Sequence, residues 1–452
     1  MKYYNPFKNS FAELKPSDLK ELYSVSEGWY VEYKSQQISV KKLGKSISSF
    51  ANQYGGWLII GVEEDQKTLA AKSFPGIDIA EIECVYQNLR NASKDVVNPE
   101  VYYETKEFRG PIKEIGLNRD RAILIIRIPP GPEPAYIHSD GRIYRRVADS
   151  SDPKPETDRA LLERLWDRAK LAKTNLRKLI NRRPVLSEGE SNNCYLNLII
   201  LSDPYEIKGH WFSGKFTDFV NIMKDNPIPC NNIFTRSLGF VARQTAGNDP
   251  YNRVFTWEFD RHCHSFVSLP INVFSKPYIE SLDGYTLKYE YVKALDDAMI
   301  SSSPLLDLNM IFEGLASIFA RHRTLVGKAK IYGPFYVKVQ LENTWRAVPF
   351  LNMPSFLQHI KKYGFPVVQE EDIIVYPGED LDNFVLLPER NLKKDVYIND
   401  AINVSMEIFE ALGIPIDFFI STGDHSVIEE LIATAEHFRN AQQLRNTKKL
   451  IK

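Results

Sequence analysis

SEGWYVEYKS, residues 26–35, decides how the first part of the chain is read. Trp29, Val31 and Tyr33 alternate with Tyr30, Glu32 and Lys34, the period of two that marks a strand with distinct faces. Glu32 and Lys34 therefore point the same way. Glu27 lies before Gly28, in the turn expected to feed the strand.

Upstream, residues 1–25 read as an arm with a short helix, Pro16-Ser17 giving its start and Leu19, Leu22 and Tyr23 sharing a face. Downstream, Val40, Leu43, Ile47, Phe50 and Ala51 recur at helical spacing and predict a helix over 39–53, stopped by Gly55-Gly56. WLIIGVEED then predicts a buried strand, Trp57 to Val62, running into Glu63, Glu64 and Asp65. A helix is expected over 78–94, strands near 99–108 and 121–128, and a hairpin in AYIHSDGRIYRRV that turns at Ser139-Asp140-Gly141. A charged helix follows over 154–182.

The Pro, Gly, Ser and polar residues of RRPVLSEGESNN place a boundary there: a first domain at 1–182, a linker at 183–193, and a second domain at 194–452. In the second domain, 195–201, 253–259 and 335–341 read as strands, and 303–322, 399–412 and 424–445 as helices. The fold class is α+β: a mixed sheet with packing helices, then a second α+β domain whose role is expected to be sensing or recruitment. It carries no glycine-rich phosphate loop and no catalytic dyad at diagnostic spacing.

The totals set limits. With 452 residues the chain is too long for one ordinary domain. Hydrophobic residues make up 43% and charged residues 25%, the balance of a packed globular protein. A net charge of −1 gives no global basic field, so contact with nucleic acid must come from a local patch. Cys84, Cys194, Cys230 and Cys263 lack paired spacing, and neither a signal peptide nor a long apolar run is present. A reduced, cytoplasmic protein that does not cross a membrane is expected.

Glu27, Glu32 and one of Glu63, Glu64 and Asp65 converge if the two strands are neighbours. Clustered carboxylates repel unless a cation neutralises them, and hard oxygen ligands suit Mg²⁺ or Mn²⁺. Such ions stabilise the charge that builds on a phosphodiester under attack, and Lys34 would hold the scissile phosphate. Spacing alone leaves the alternative open: a solvated acidic turn, with Glu32 and Lys34 forming a surface salt bridge of little worth.

EGWYVEYK, then ISSFANQYGGWLIIGVEED, then PAYIHSDGRIYRRVADSSDP together resemble the Schlafen AlbA-type domain. The matching positions are Glu27, Glu32, Tyr33 and Lys34; then Phe50, Ala51, Asn52, Gly55 and Gly56; then Ile60, Gly61, Val62, Glu63 and Glu64; and finally Tyr144 with Arg145 or Arg146. The resemblance implies a metal-dependent endoribonuclease like the animal Schlafen proteins, which cut tRNA and rRNA, with Glu27, Glu32 and Glu64 as catalytic metal ligands. Bacterial relatives are often labelled as DNA-binding domains of regulators or phage-defence proteins, so a non-catalytic nucleic-acid-binding regulator is the alternative. Here Glu63-Glu64 replaces the family's usual Asp pair, which leaves Asp65 as a rival third ligand. The structural zinc of the animal proteins is not expected, because Cys84 has no partners at suitable spacing. A single copy of a domain that the animal proteins duplicate leads to the expectation of a homodimer.

The hairpin residues Arg142, Arg145 and Arg146 with Tyr136 and Tyr144 suit phosphate contact and base stacking, and Lys41, Lys42 and Lys45 extend that patch. Arginines paired with local acids, and a merely solvated helix face, are the plainer readings. The expected substrate is structured RNA, tRNA-like, with single-stranded DNA second, in a setting of phage defence.

Overall fold

The computed structural model describes residues 4–9, 11–147, 150–182, 193–205, 210–224, 228, 230–245, 253–271, 273–274, 279–280, 285–300, 303–390, 396–420 and 427–434. The chain divides into two compact units, one of residues 1–177 with 205–209 and one of 178–204 with 210–452. Most of the expected linker, 183–192, lies outside the described residues.

The first unit is built on a sheet of β1 (Val31–Lys34), β2 (Gly56–Ile60) and β8 (Arg121–Ile128), with β5 (Ile77–Asp78) and β7 (Glu104–Arg109) also on β8. β1 and β2 are parallel, with Glu32 beside Leu58 and Lys34 beside Ile60, and the helix between them makes the crossover. That helix is α1 (Val40–Asn52), whose Leu43, Ile47, Phe50 and Ala51 are all buried, as their spacing predicts. The glycines after it have a steric cause. A Cβ on Gly56 would come within 2.2 Å of the Phe50 ring, and Gly55 holds φ +73° against the Ile128 carbonyl.

Two apolar layers sandwich the sheet. Val31, Tyr33, Trp57 and Ile59 face Phe7, Leu19 and Leu22 of the N-terminal arm, whose helix is the 3₁₀ turn Pro16–Ser24. Leu58, Ile60, Leu124 and Ile126 face α1 and α2 (Ile82–Asn91).

Two local expectations need correcting. The strand of SEGWYVEYKS begins at Val31, with Trp29 and Tyr30 in a bend before it. Its Glu32 face is not solvated: α1 covers it, and Glu32 is 1% exposed. The helix expected over 78–94 is an α-helix only over Ile82–Asn91, entered through a 3₁₀ turn and left through one of π type.

β3 (Glu63–Glu64) and β4 (Ala71–Ser73) form a small hairpin after β2. β6 (Val97–Asn98) pairs with β9 (Ile137–His138), and β10 (Tyr144–Val147) pairs with β11 (Ser150–Pro155). The long helix α3 (Arg159–Ile180) follows.

The second unit centres on an eight-stranded antiparallel sheet. β12 (Cys194–Leu201) lies between β16 (Ser265–Ile271) and β19 (Phe335–Glu342), and outward from β16 come β15 (Arg253–Asp260), β14 (Gly239–Thr245) and β13 (Asn232–Arg236). The helix Leu308–Gly327 is buried almost all round, as its apolar composition requires, and packs against the helix Val396–Ala411. It starts later than the expected 303–322 because Leu305–Asp307 is a strand, after which Asp307 caps the helix by accepting from the Asn309 and Met310 amides. Of the helix expected over 424–445, residues 427–434 are helical and the rest lie outside the described residues. Among the described residues no helix is long and apolar enough to cross a membrane.

Candidate functional site

The acids that the sequence sets far apart meet beside β1. Ser26 bridges to Ala70 and the Glu27 amide donates to the Leu69 carbonyl at 2.7 Å, so the turn before β1 is sewn to the β3–β4 hairpin. Glu64, at the end of β3, is thereby turned toward Glu27. Two ionised carboxylates cannot hydrogen-bond to each other. Both Glu27 oxygens and Glu64 Oε2 are buried without a donor, and only a shared proton or a cation reconciles them. Burial first, then the Glu64 carboxyl, pushes the Glu27 pKa up to about 9, against some opposition from Lys34.

Glu32 is in the opposite state. Its Oε1 accepts from Ser46 Oγ at 2.9 Å and sits 3.0 Å from Lys34 Nζ, and its Oε2 accepts from Arg146 Nη1 at 2.8 Å. Arg146 is fully buried, donates also to the Gly28 carbonyl at 2.9 Å, and lies over the Phe50 ring. Its backbone amide donates to Gln53 Oε1 at 2.8 Å. Lys34 reaches Glu27 only at 4.0 Å, and Arg146 reaches it at 3.9 Å. Burial would lower the Lys34 pKa, but the attraction of Glu32 and Glu27 outweighs it and raises the value.

The donor set therefore fits a hard cation in part. Glu27 and Glu64 offer buried oxygens without a hydrogen-bond donor, while Glu32 is already held by three donors. Among the described residues no group of three or more His, Cys, Asp or Glu side chains stands ready as a metal centre. Asp65, the rival to Glu64, is half-buried like it, but its Oδ1 accepts from the Lys67 and Thr68 amides, each at 2.9 Å, to close the hairpin turn. It faces away from the cluster's chemistry and into the turn.

The expected basic and aromatic surface is largely dismantled. Tyr136, Tyr144 and Arg146 are buried, so none of the three is a surface contact. The cause is Asn52, whose Nδ2 donates to the Tyr136 and Tyr144 carbonyls and whose Oδ1 accepts from the Tyr136 amide, fixing the hairpin onto α1. Arg145 pairs with Glu156 at 2.8 Å, and Lys45 lies 3.9 Å from Asp140 and over the Tyr144 ring. Lys41, Lys42 and Arg142 are exposed. Sequence reasoning missed Ser46 and the inward turn of Arg146. The signal lay in Ser46, Ser49 and Asn52, short polar residues that recur at helical spacing along one side of α1 and are all buried.

Comparison with known proteins places this unit. Residues 27–155 match the family described as Schlafen, AlbA_2. The N-terminal domain is thus of the Schlafen AlbA type, which points to a nucleic-acid-related function for it. No curated protein matches the chain. The crystal structure of the DIP2311 protein from Corynebacterium diphtheriae is similar at 21% identity and a TM-score of 0.22, covering 34% of this chain and 27% of that one. The chain thus spans about a quarter of that structure's length, a likeness too slight to bear on fold or function.

Proposed function

We propose that the N-terminal domain is a divalent-cation-dependent endonuclease acting on RNA in preference to DNA. The observation that carries the proposal is the Glu27–Glu64 pair: two carboxylates packed together, with three buried oxygens that no protein group satisfies. Buried carboxyls whose pKa values are pushed far up, as that of Glu27 is, cluster at functional sites, and a cation there would replace the proton. Glu27 and Glu64 would hold Mg²⁺ or Mn²⁺. That ion would supply Lewis-acid stabilisation of the charge on a phosphodiester under attack.

The remaining chemistry belongs to the chain. Arg146 and Ser46 fix the Glu32 carboxylate beside the pair, and Lys34, the partly exposed cation of the cluster, would meet the phosphate. For Glu32 to join as a third ligand it must give up Lys34, and an arriving phosphate would draw Lys34 away. RNA is favoured on the resemblance to the animal endoribonucleases. The second unit would sense or recruit; a cavity there of about 690 Å³, lined by His359, Lys362, Tyr363, Phe365 and Phe418 among others, is suited to holding a ligand.

A second reading has its own support. With Glu32 locked by Arg146 and Glu27 protonated, the cluster is self-consistent without a cation, as befits a nucleic-acid-binding regulator. Incubating the protein with labelled tRNA and with single-stranded DNA, in Mn²⁺ or in chelator, beside Glu27→Gln, separates the two. Cleavage in Mn²⁺ that chelator and Glu27→Gln both abolish is the result expected. Binding without cleavage in Mn²⁺ would favour the regulator.

A further inference from the structure

Four aromatic rings lie together on the first unit, and the acidic cluster does not use them. Tyr4 stacks on Tyr30 at 4.8 Å, Tyr30 meets Tyr54 at 6.2 Å, and Tyr54 meets Trp29 at 6.3 Å. Packing does not explain them all: Trp29 is 37% exposed, Tyr4 42% and Tyr54 54%. A contiguous set of exposed rings is an unusual expense for a soluble surface and marks a binding site.

Arg146 fixes where that set lies. It donates from its side chain to the Gly28 carbonyl and from its backbone to Gln53 Oε1. The residues that follow Gly28 and Gln53 are Trp29 and Tyr54, the exposed pair. One buried arginine therefore ties the ring pair to Glu32 and, through Gly28, to Glu27. The flank is basic. Arg168 of α3 donates to the Gln53 carbonyl at 2.7 Å and to the Ala51 carbonyl at 2.9 Å, which seats α3 beside Tyr54. Of the six cations from Arg159 to Arg177, Arg168 is used in that seating and Arg159 pairs with Glu163 at 2.8 Å, and Arg164, Lys170, Lys173 and Arg177 are exposed.

We infer that Trp29 and Tyr54 form a stacking platform for unpaired bases, with the exposed cations of α3 available to the backbone, so that the domain takes single-stranded segments or loops in preference to continuous duplex. Flat π-faces bind any exposed base but find none in a closed helix, whose bases are already stacked. The charge fits a polyanion and not an acid-free apolar partner. This rests on the nucleic-acid reading of the same domain and adds to it which form of the strand is held.

The test uses the full chain in chelator, so that binding is read without cleavage. Labelled twelve-nucleotide oligouridine and a blunt duplex RNA of the same length are titrated at one salt concentration by fluorescence anisotropy. The wild type is expected to bind the single strand more tightly. Trp29→Ala and Tyr54→Ala are each expected to weaken it by roughly five- to a hundredfold, with duplex binding changed less than twofold and Trp29→Phe retaining most of the affinity. Unchanged melting temperatures show that the exposed substitutions leave the fold intact. Single-strand binding by both alanine variants at wild-type strength overturns the platform while leaving the nucleic-acid reading in place. A wild type that binds neither probe overturns that reading and the platform with it.

Discussion

The buried Arg323–Asp400 pair of the second unit and the buried acids of the first are held in opposite ways. In the second unit Arg323 donates from Nη2 to Asp400 Oδ1 at 3.0 Å and from Nε to the other oxygen, with the guanidinium over the Phe335 ring. Both members are buried and every charge has its counter-charge. In the first unit Glu32 is matched to Arg146 in the same fashion, but Glu27 has Arg146 and Lys34 only at 3.9 and 4.0 Å and no hydrogen-bond donor, with Glu64 beside it. Packing explains the first arrangement completely; in the second, ionising every acid would leave an excess of negative charge, which a proton on Glu27 or a bound cation must balance. The excess, rather than burial or clustering as such, is what distinguishes a site from a structural pair.

The largest effect should fall on catalysis. Glu27→Gln and Glu64→Gln each remove a charged oxygen pair that a cation would need, and cleavage in Mn²⁺ is expected to fall by more than about a hundredfold, the scale at which losses even beyond the ligands themselves are felt. Single-turnover assays with labelled RNA read this directly. Activity within a few-fold of wild type in both variants would mean that the excess charge serves something else.

Next comes stability, where the comparison should invert. Asp400→Ala leaves Arg323 buried and unpaired, and should cost about 3–5 kcal/mol. Glu27→Gln removes a buried group that has no donor, and should leave the cation-free protein as stable as the wild type or more so. Urea denaturation, followed as two transitions if the units unfold separately, compares the two. A Glu27→Gln protein destabilised as strongly as Asp400→Ala would show that Glu27 has a partner after all.

The pH dependences should also run in opposite directions. The Glu27 pKa is raised in the folded state, from 4.5 to about 9, so folded protein binds the extra proton across that interval. Its contribution is fully present below about 4.5 and is lost as pH rises toward 9, and Mn²⁺ should flatten the loss by taking the proton's place. His322 in the second unit behaves conversely. Burial, with Arg323 and His264 adding to it, lowers its pKa from 6.5 to about 3, and its Nδ1 shares a 2.9 Å hydrogen bond with Ser265 Oγ. Its contribution holds above 6.5 and is lost as pH falls toward 3. Melting curves from pH 4 to 9, with Glu27→Gln and His322→Gln as references, separate the slopes. A Glu27→Gln variant with the wild-type slope in the alkaline half would remove Glu27 as its cause.

Much of this was legible in the sequence, for identifiable reasons. Alternation and helical spacing place β1, α1 and β2 because each buries one face, and the Gly55-Gly56 stop follows from the close approach of Phe50 and Ile128. The meeting of Glu27 with Glu64 follows once β1 and β2 are neighbours. What periodicity cannot show is which face of β1 ends up under α1. The polar pattern of Glu32 and Lys34 reads as solvated, yet α1 supplies Ser46 and the hairpin supplies Arg146 to meet it inside. The same blindness put Tyr136, Tyr144 and Arg146 on a surface, since nothing local announces that Asn52 will pin the hairpin inward. Trp29 is the reverse case: counted in the strand's alternation with Val31 and Tyr33, it lies outside the strand and exposed.

The smallest effect should come from Asp65, and it bears on whether Glu64 is the third acid of the sequence pattern. The two are neighbours, so a spacing argument cannot choose between them, but their surroundings differ. Glu64 Oε2 is buried and without a donor beside Glu27, whereas Asp65 Oδ1 already accepts from two backbone amides and the Thr68 hydroxyl. Those bonds hold its pKa below the ordinary carboxylate range and make it a turn residue. Asp65→Asn keeps the turn's acceptor and removes the charge. Cleavage is expected within about twofold of wild type, since the effect lies outside the cluster, with at most a slight drop in melting temperature. Should Asp65→Asn abolish cleavage while Glu64→Gln spares it, the hairpin must re-register when a cation binds. The excess charge that sets this unit apart from the other would then belong to a different pair of acids.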